Sequence, residues 1–160
     1  MATQVKVKAA KLYESDFYLW ALAQAEALRA GRLEELDLEN LAEEIDGLAA
    51  AAKGAVRSRT RTIMEHLLKL EYSPAVEPRR GWRATVRRTR QDLEDDLTGS
   101  LRNLLPDELN ELYGRVRRDL AETMRDYDEA EAAAKLPEAC PYTLEQILGH
   151  WLPADEESKG

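Results

Sequence analysis

Cysteine is almost missing from this 160-residue chain: Cys140 stands alone, so no intrachain disulfide can form. The bland role of such a residue is a small buried hydrophobe, with a reactive thiol as the alternative. Aromatics are scarce at 6%, and there are only two histidines. One cysteine and two histidines do not make an ordinary structural zinc site. A helical di-iron site wants Glu three residues before His, but Ile63 precedes His66 and Ile147 precedes His150 at that spacing. No metal and no cofactor is expected. The longest apolar run is the seven residues Phe17–Ala23, where a membrane-spanning helix needs about 20. Lys6, Lys8 and Lys11 precede no apolar stretch of signal-peptide length, so the protein is expected to be cytoplasmic. There is no Gly-rich phosphate loop, no nucleophile elbow and no zinc-protease motif.

What is present suits a folded helical domain. Hydrophobic residues make up 44% and charged ones 34%, too apolar a mixture for a disordered chain. The net charge is −8, but it is unevenly spread. Residues 1–52 carry a net of −5, residues 53–90 a net of +8, and residues 91–160 a net of −11. Overall acidity argues against general nucleic-acid affinity, while the basic middle is a local electrostatic footprint.

The periodicity is helical throughout, with no period-2 strand and no internal repeat. The first helix is predicted from Asp16 to Ala30, capped by Ser15 or Asp16 and ended by Gly31. Phe17, Tyr18, Ala21, Leu22, Ala25 and Leu28 share one arc, with Leu19 and Trp20 outside it. Its first turn is apolar almost all round, so something covers it on more than one side. The second helix starts at an Asp37 cap and runs to Tyr72, before Pro74 and Pro78. Leu41, Ile45, Leu48, Ala52, Val56, Ile63, His66 and Leu70 mark its apolar seam. About 35 residues make a rod of roughly 52 Å, against a radius of gyration of about 15 Å for a compact domain of this size. Such a rod overhangs, kinks at Gly54, or packs against a second copy through the small residues Gly47, Ala51 and Gly54.

The third helix is predicted over Arg79–Thr98 with Gly99 beyond its end, on a stripe of Trp82, Val86, Leu93 and Leu97. The fourth follows Pro106 and reaches Asp126, on a stripe of Leu105, Leu109, Leu112, Val116, Leu120, Met124 and Tyr127, with an Ala-rich extension towards Lys135. After Pro137 and Pro141, Thr143 and Gln146 form a capping box for a short helix over Leu144–Leu148. The reading is an all-α bundle of four main helices with this short helix packed across it. Residues 1–12 form an arm, 13–153 a single domain and 154–160 a frayed acidic tail.

Several blocks resemble a known bacterial family, the domain of unknown function numbered twenty-nine. They are Asp-Phe-Tyr-Leu-Trp at 16–20, Leu-Asp-Leu-Glu-Asn-Leu at 36–41, Glu-Glu-Ile at 43–45, His-Leu-Leu-Lys at 66–69, Trp-Arg-Ala-Thr-Val at 82–86, and the stretch from Pro137 to Leu148. The resemblance implies an all-helical fold. It implies no activity, and it supplies no catalytic residue.

The third helix carries the sharpest candidate site. Arg79, Arg80, Arg83, Arg87 and Arg90 fall within an arc of about 100°, with Arg88 elsewhere. Arginines early and Asp92, Glu94, Asp95 and Asp96 late both oppose the helix dipole. Three uses are open: pairing with acids of the same bundle, an acidic surface on a protein partner, or nucleic-acid phosphate. His66 on the apolar seam is a satisfied, partly buried histidine or, alternatively, a general acid or base. The acids Glu39, Glu43, Glu44 and Asp46 read as solvated charges near a helix start. Trp20, Trp82 and Trp151 read as core residues rather than a pocket lining. The expected function is a non-catalytic interaction or regulatory module that binds another protein. A nucleic-acid binder using the arginine face and an enzyme using His66 are the alternatives, and no membrane partner is expected.

Overall fold

The computed structural model describes residues 11–154. The expected arm and tail lie outside them, apart from Lys11, Leu12 and Ala154. The fold is all-α. Residues 11–15 are helical, followed by α1 (Phe17–Arg29), a 3-10 turn (Leu33–Glu35), α2 (Leu38–Tyr72), α3 (Arg79–Asp96), α4 (Gly99–Asp126), α5 (Ala130–Ala134) and α6 (Leu144–Leu148). No strand occurs among the described residues, and no helix among them is long and apolar enough to cross a membrane. The chain forms two compact units that meet in sequence within α2, Met1–Ala51 and Ala52–Gly160.

In the first unit the expected caps are in place. The Asp16 carboxylate accepts from the Leu19 N–H at 3.0 Å, and Gly31 takes the left-handed conformation (φ +69°) that lets the chain leave α1 without steric cost. The buried face is not the expected one. α1 buries Trp20, Gln24 and Ala27, whereas Phe17, Tyr18, Leu22 and Leu28 of the predicted arc are exposed. The cause is polar: the Trp20 indole and the Gln24 amide both bond at Asp37, and this fixes the rotation of the helix. The seam of α2 is corrected in the same way. Ile45 and Leu48 are 63% and 71% exposed, and the seam is buried only from Val56 onward.

The second unit contains the main core. α2 contributes Val56, Ile63, Met64, Leu67 and Leu68, α3 contributes Val86 and Leu93, and α4 contributes Leu105, Leu109, Leu112, Tyr113 and Val116. These positions recur at three and four residues, the spacing that places side chains on one helical face. Ala132, Ala133 and Ile147 close the cluster from α5 and α6. Ion pairs flank it: Glu108 accepts from Lys53 at 2.6 Å and from Arg57 at 2.7 Å, and Arg59 pairs with Asp96.

Three boundaries differ from expectation. α3 ends at Asp96, because Thr98 is extended and its hydroxyl caps the next helix at the Leu101 N–H. α4 therefore begins at Gly99, with Pro106 inside it rather than before it. Proline cannot donate to the carbonyl four residues back; that residue, Arg102, is exposed, so water can satisfy its oxygen. The Ala-rich stretch is a separate helix because Asp128 turns left-handed (φ +61°) and the Glu129 N–H returns to the Met124 carbonyl. Tyr127, placed on the α4 stripe by its spacing, is exposed at this turn. The capping box at α6 forms as expected, with both Thr143–Gln146 bonds present.

Candidate interaction surfaces

The first unit is organised around one buried carboxylate. Asp37 Oδ2 accepts from the Trp20 indole N–H at 3.3 Å and from the Asn40 amide at 2.7 Å. The Asp37 N–H donates to Gln24 Oε1 at 2.7 Å, and Gln24 Nε2 donates to the Glu35 carbonyl at 3.4 Å. Tyr13 stacks edge-on against Trp20 at 4.8 Å and donates to Glu44 at 2.7 Å. That bond, with the charge behind it, pushes the Tyr13 phenol up to about 12. Of the expected acid cluster, Glu44 is thus engaged, whereas Glu39, Glu43 and Asp46 are exposed.

Around this polar centre lies apolar surface. On α1, Tyr18 is 70% and Leu22 51% exposed, flanked by Phe17 and Leu28. On α2, Leu38 is exposed with Ile45 and Leu48. The run Gly47 to Ala52 is exposed at every position, so this part of the helix is apolar on all sides. A Cβ added at Gly47 or Gly54 would meet nothing within 4 Å. The sequence signals a cover for the first turn of α1, but spacing alone does not show which arc is left bare.

The arginine face of α3 has several local fates. Arg79 donates to the Leu70 carbonyl at 2.6 Å and the Ser73 carbonyl at 3.4 Å, tying the loop after α2. Arg90 is only 8% exposed. Its Nε donates to the Ile147 carbonyl at 2.9 Å, and one Nη donates to the Gln146 and Trp151 carbonyls at 2.6 and 2.7 Å. Burial pulls its pKa below the usual guanidinium value. Arg83 is half-buried. Arg80 and Arg87, and Arg88 off that face, are exposed and form no ion pair among the described residues.

His66 is half-buried, with Nδ1 2.8 Å from the Thr62 carbonyl of its own helix. Two depressions of about 500 and 290 Å³ lie beside α4, and neither has His66 in its wall. Burial raises the Cys140 thiol above its ordinary pKa, the opposite of an activated cysteine. A pair of buried phenols, missed by sequence reasoning, completes the polar interior. Tyr142 donates to Glu71 and Tyr113 to the Pro137 carbonyl. Burial pushes Tyr113 up to about 12, and burial with the Glu71 bond raises Tyr142 further. No group of three or more potential metal-ligating side chains is found among the described residues.

An all-helical chain with such surfaces defines a class but not a task. The model of the family described as "Domain of unknown function DUF29" matches residues 12–152, and the chain belongs to that family. No curated protein and no solved structure matches it.

Proposed function

We propose that this chain is a cytoplasmic, non-catalytic interaction module, as in a bacterial cell, that binds an acidic surface of another protein through the outer strip of α3. The observation that carries this reading is the fate of the arginines. Arg79 and Arg90 are committed to carbonyls of the same fold, while Arg80 and Arg87 stand exposed without an ion pair among the described residues. They are seven positions apart, two helical turns, so both residues lie on one face of α3 with their Cα atoms about 10 Å apart. Arg80 lies in the first turn of α3, where the dipole disfavours a cation, so it gains from an acid outside the helix. The guanidinium fork suits carboxylates, and the charge of the strip raises the encounter rate.

The test is purification of the tagged full chain from its own cells, with and without nuclease, beside an Arg80→Glu/Arg87→Glu variant. A discrete protein with an acidic surface is expected to survive nuclease and to be lost with the variant, while the helical signal stays unchanged. Retention by the variant would refute the surface. Nucleic acid in place of protein, with affinity falling steeply as salt rises, would replace this reading with phosphate binding.

A further inference from the structure

The apolar surface of the first unit is independent of the arginine strip. From it we infer that the protein is a homodimer in which the hairpin of one copy, α1 with the start of α2, packs on the hairpin of a second copy. Phe17, Tyr18, Leu22 and Leu28 on α1, and Leu38, Ile45 and Leu48 on α2, each expose half or more of their surface. At about 200 Å² for a large side chain, these seven present roughly 800 Å² of apolar surface. That equals the share of about 800 Å² per partner in a stable interface.

Three features select a second copy over a foreign partner. The two stripes match in length: Phe17 to Leu28 and Leu38 to Leu48 each rise roughly 15–17 Å. A two-fold axis can therefore set the α1 stripe of each copy on the α2 stripe of the other, the self-complementary form of an isologous contact. The α2 stripe is also uncharged. Glu39, Glu43 and Asp46 centre about 140° round the helix from it, and Glu44, one turn from Leu48, is already engaged by the Tyr13 hydroxyl of the same copy, so no basic partner is called for. Finally, Ala49 and Ala52 beside the stripe allow close helix approach without side-chain ordering cost. The contact falls on the leucine stripe, not on the face of Gly47, Ala51 and Gly54 marked by residue size.

The experiment is sedimentation equilibrium of the full chain over a wide micromolar range, beside Leu22→Glu/Ile45→Glu and, as a control on the other face, Ala51→Glu. The wild type is expected at dimer mass, the double variant at monomer mass with Kd raised at least 100-fold, and Ala51→Glu as a dimer. A wild-type monomer at all concentrations would overturn the inference, as would a dimer that survives Leu22→Glu/Ile45→Glu or is lost only with Ala51→Glu. All three positions are solvent-exposed, and circular dichroism reports whether each variant folds. If the double variant does not fold, chains carrying Leu22→Cys and Ile45→Cys, both with Cys140→Ser, are mixed and oxidised. A cross-linked heterodimer upholds the pairing, and its absence overturns it.

Discussion

Arg90 donates from Nε to the Ile147 carbonyl at 2.9 Å, across 57 positions of sequence. With its bonds to Gln146 and Trp151, it satisfies backbone acceptors at the end of α6 that the helix itself leaves open. The guanidinium thus ties to α3 a C-terminal segment that Ile147 and Tyr142 also anchor in the core. Arg90→Met is expected to cost about 2–3 kcal/mol, the range for a charge-assisted hydrogen bond plus the unsatisfied carbonyls it leaves. Hydrogen exchange should show faster exchange over residues 144–152, with α2 protected as before. Arg90→Lys should rescue little, because one ammonium cannot reproduce the planar fork.

Gly149 closes the same segment. A Cβ there would sit 2.7 Å from the Glu145 carbonyl oxygen, which is backbone and cannot swing aside. Gly149→Ala is expected to lose about 1–3 kcal/mol by thermal or urea unfolding, the usual cost of forcing extra atoms into a packed site. A neutral result would mean that α6 can shift at no cost.

The core of the second unit makes a quantitative contrast with exposed apolar positions. Leu67 is fully buried, and Leu67→Ala should cost about 2–5 kcal/mol through lost burial and a residual cavity. Val76 is exposed in the loop before α3, and Val76→Ala should stay within about 0.5 kcal/mol. Urea denaturation of both variants measures the difference.

Alkaline stability tests the buried phenols. Tyr113 is pushed up to about 12 and Tyr142 is raised further, both above the unfolded value of about 10. The folded state thus holds these protons more tightly than the unfolded chain. The stabilisation is complete below about pH 10 and is lost as pH rises through the folded pKa values. The melting temperature should therefore fall above pH 10, with phenolate absorbance of these residues appearing only on unfolding. Tyr142→Phe should make that fall shallower, and an unchanged pH profile would refute the linkage.

Much of this fold was legible because its signals are local. The Asp16 cap, the Gly31 stop and the Thr143–Gln146 capping box each depend on residues within one turn, and all appear where spacing places them. The rotation of α1 was not legible: the apolar arc is obvious, but the inward face is set by Trp20 and Gln24 meeting Asp37, 17 and 13 positions away. The arginine arc has the same character. Helical geometry groups Arg87 with Arg90 but does not show that backbone carbonyls more than 50 positions later take one and leave the other. The break after α3 is placed within two residues, but the start of α4 was missed, because Pro106 reads as a helix start while Thr98-Gly99 reads equally well as the end of one helix or the cap of the next.

The bonds at Asp37 also specify the first unit in a manner unlike the core around Leu67. Close packing resists changes of volume, whereas hydrogen bonds resist changes of direction and of donor count. The angle between α1 and the start of α2 is thus encoded by four polar groups set among the buried Trp20, Ala27 and Leu36. Such a joint depends on each acceptor as much as on the volume of its buried neighbours. Asp37→Leu, which keeps the branched heavy-atom skeleton but removes every acceptor, would disorder the hairpin more than many larger alterations of its greasy exterior.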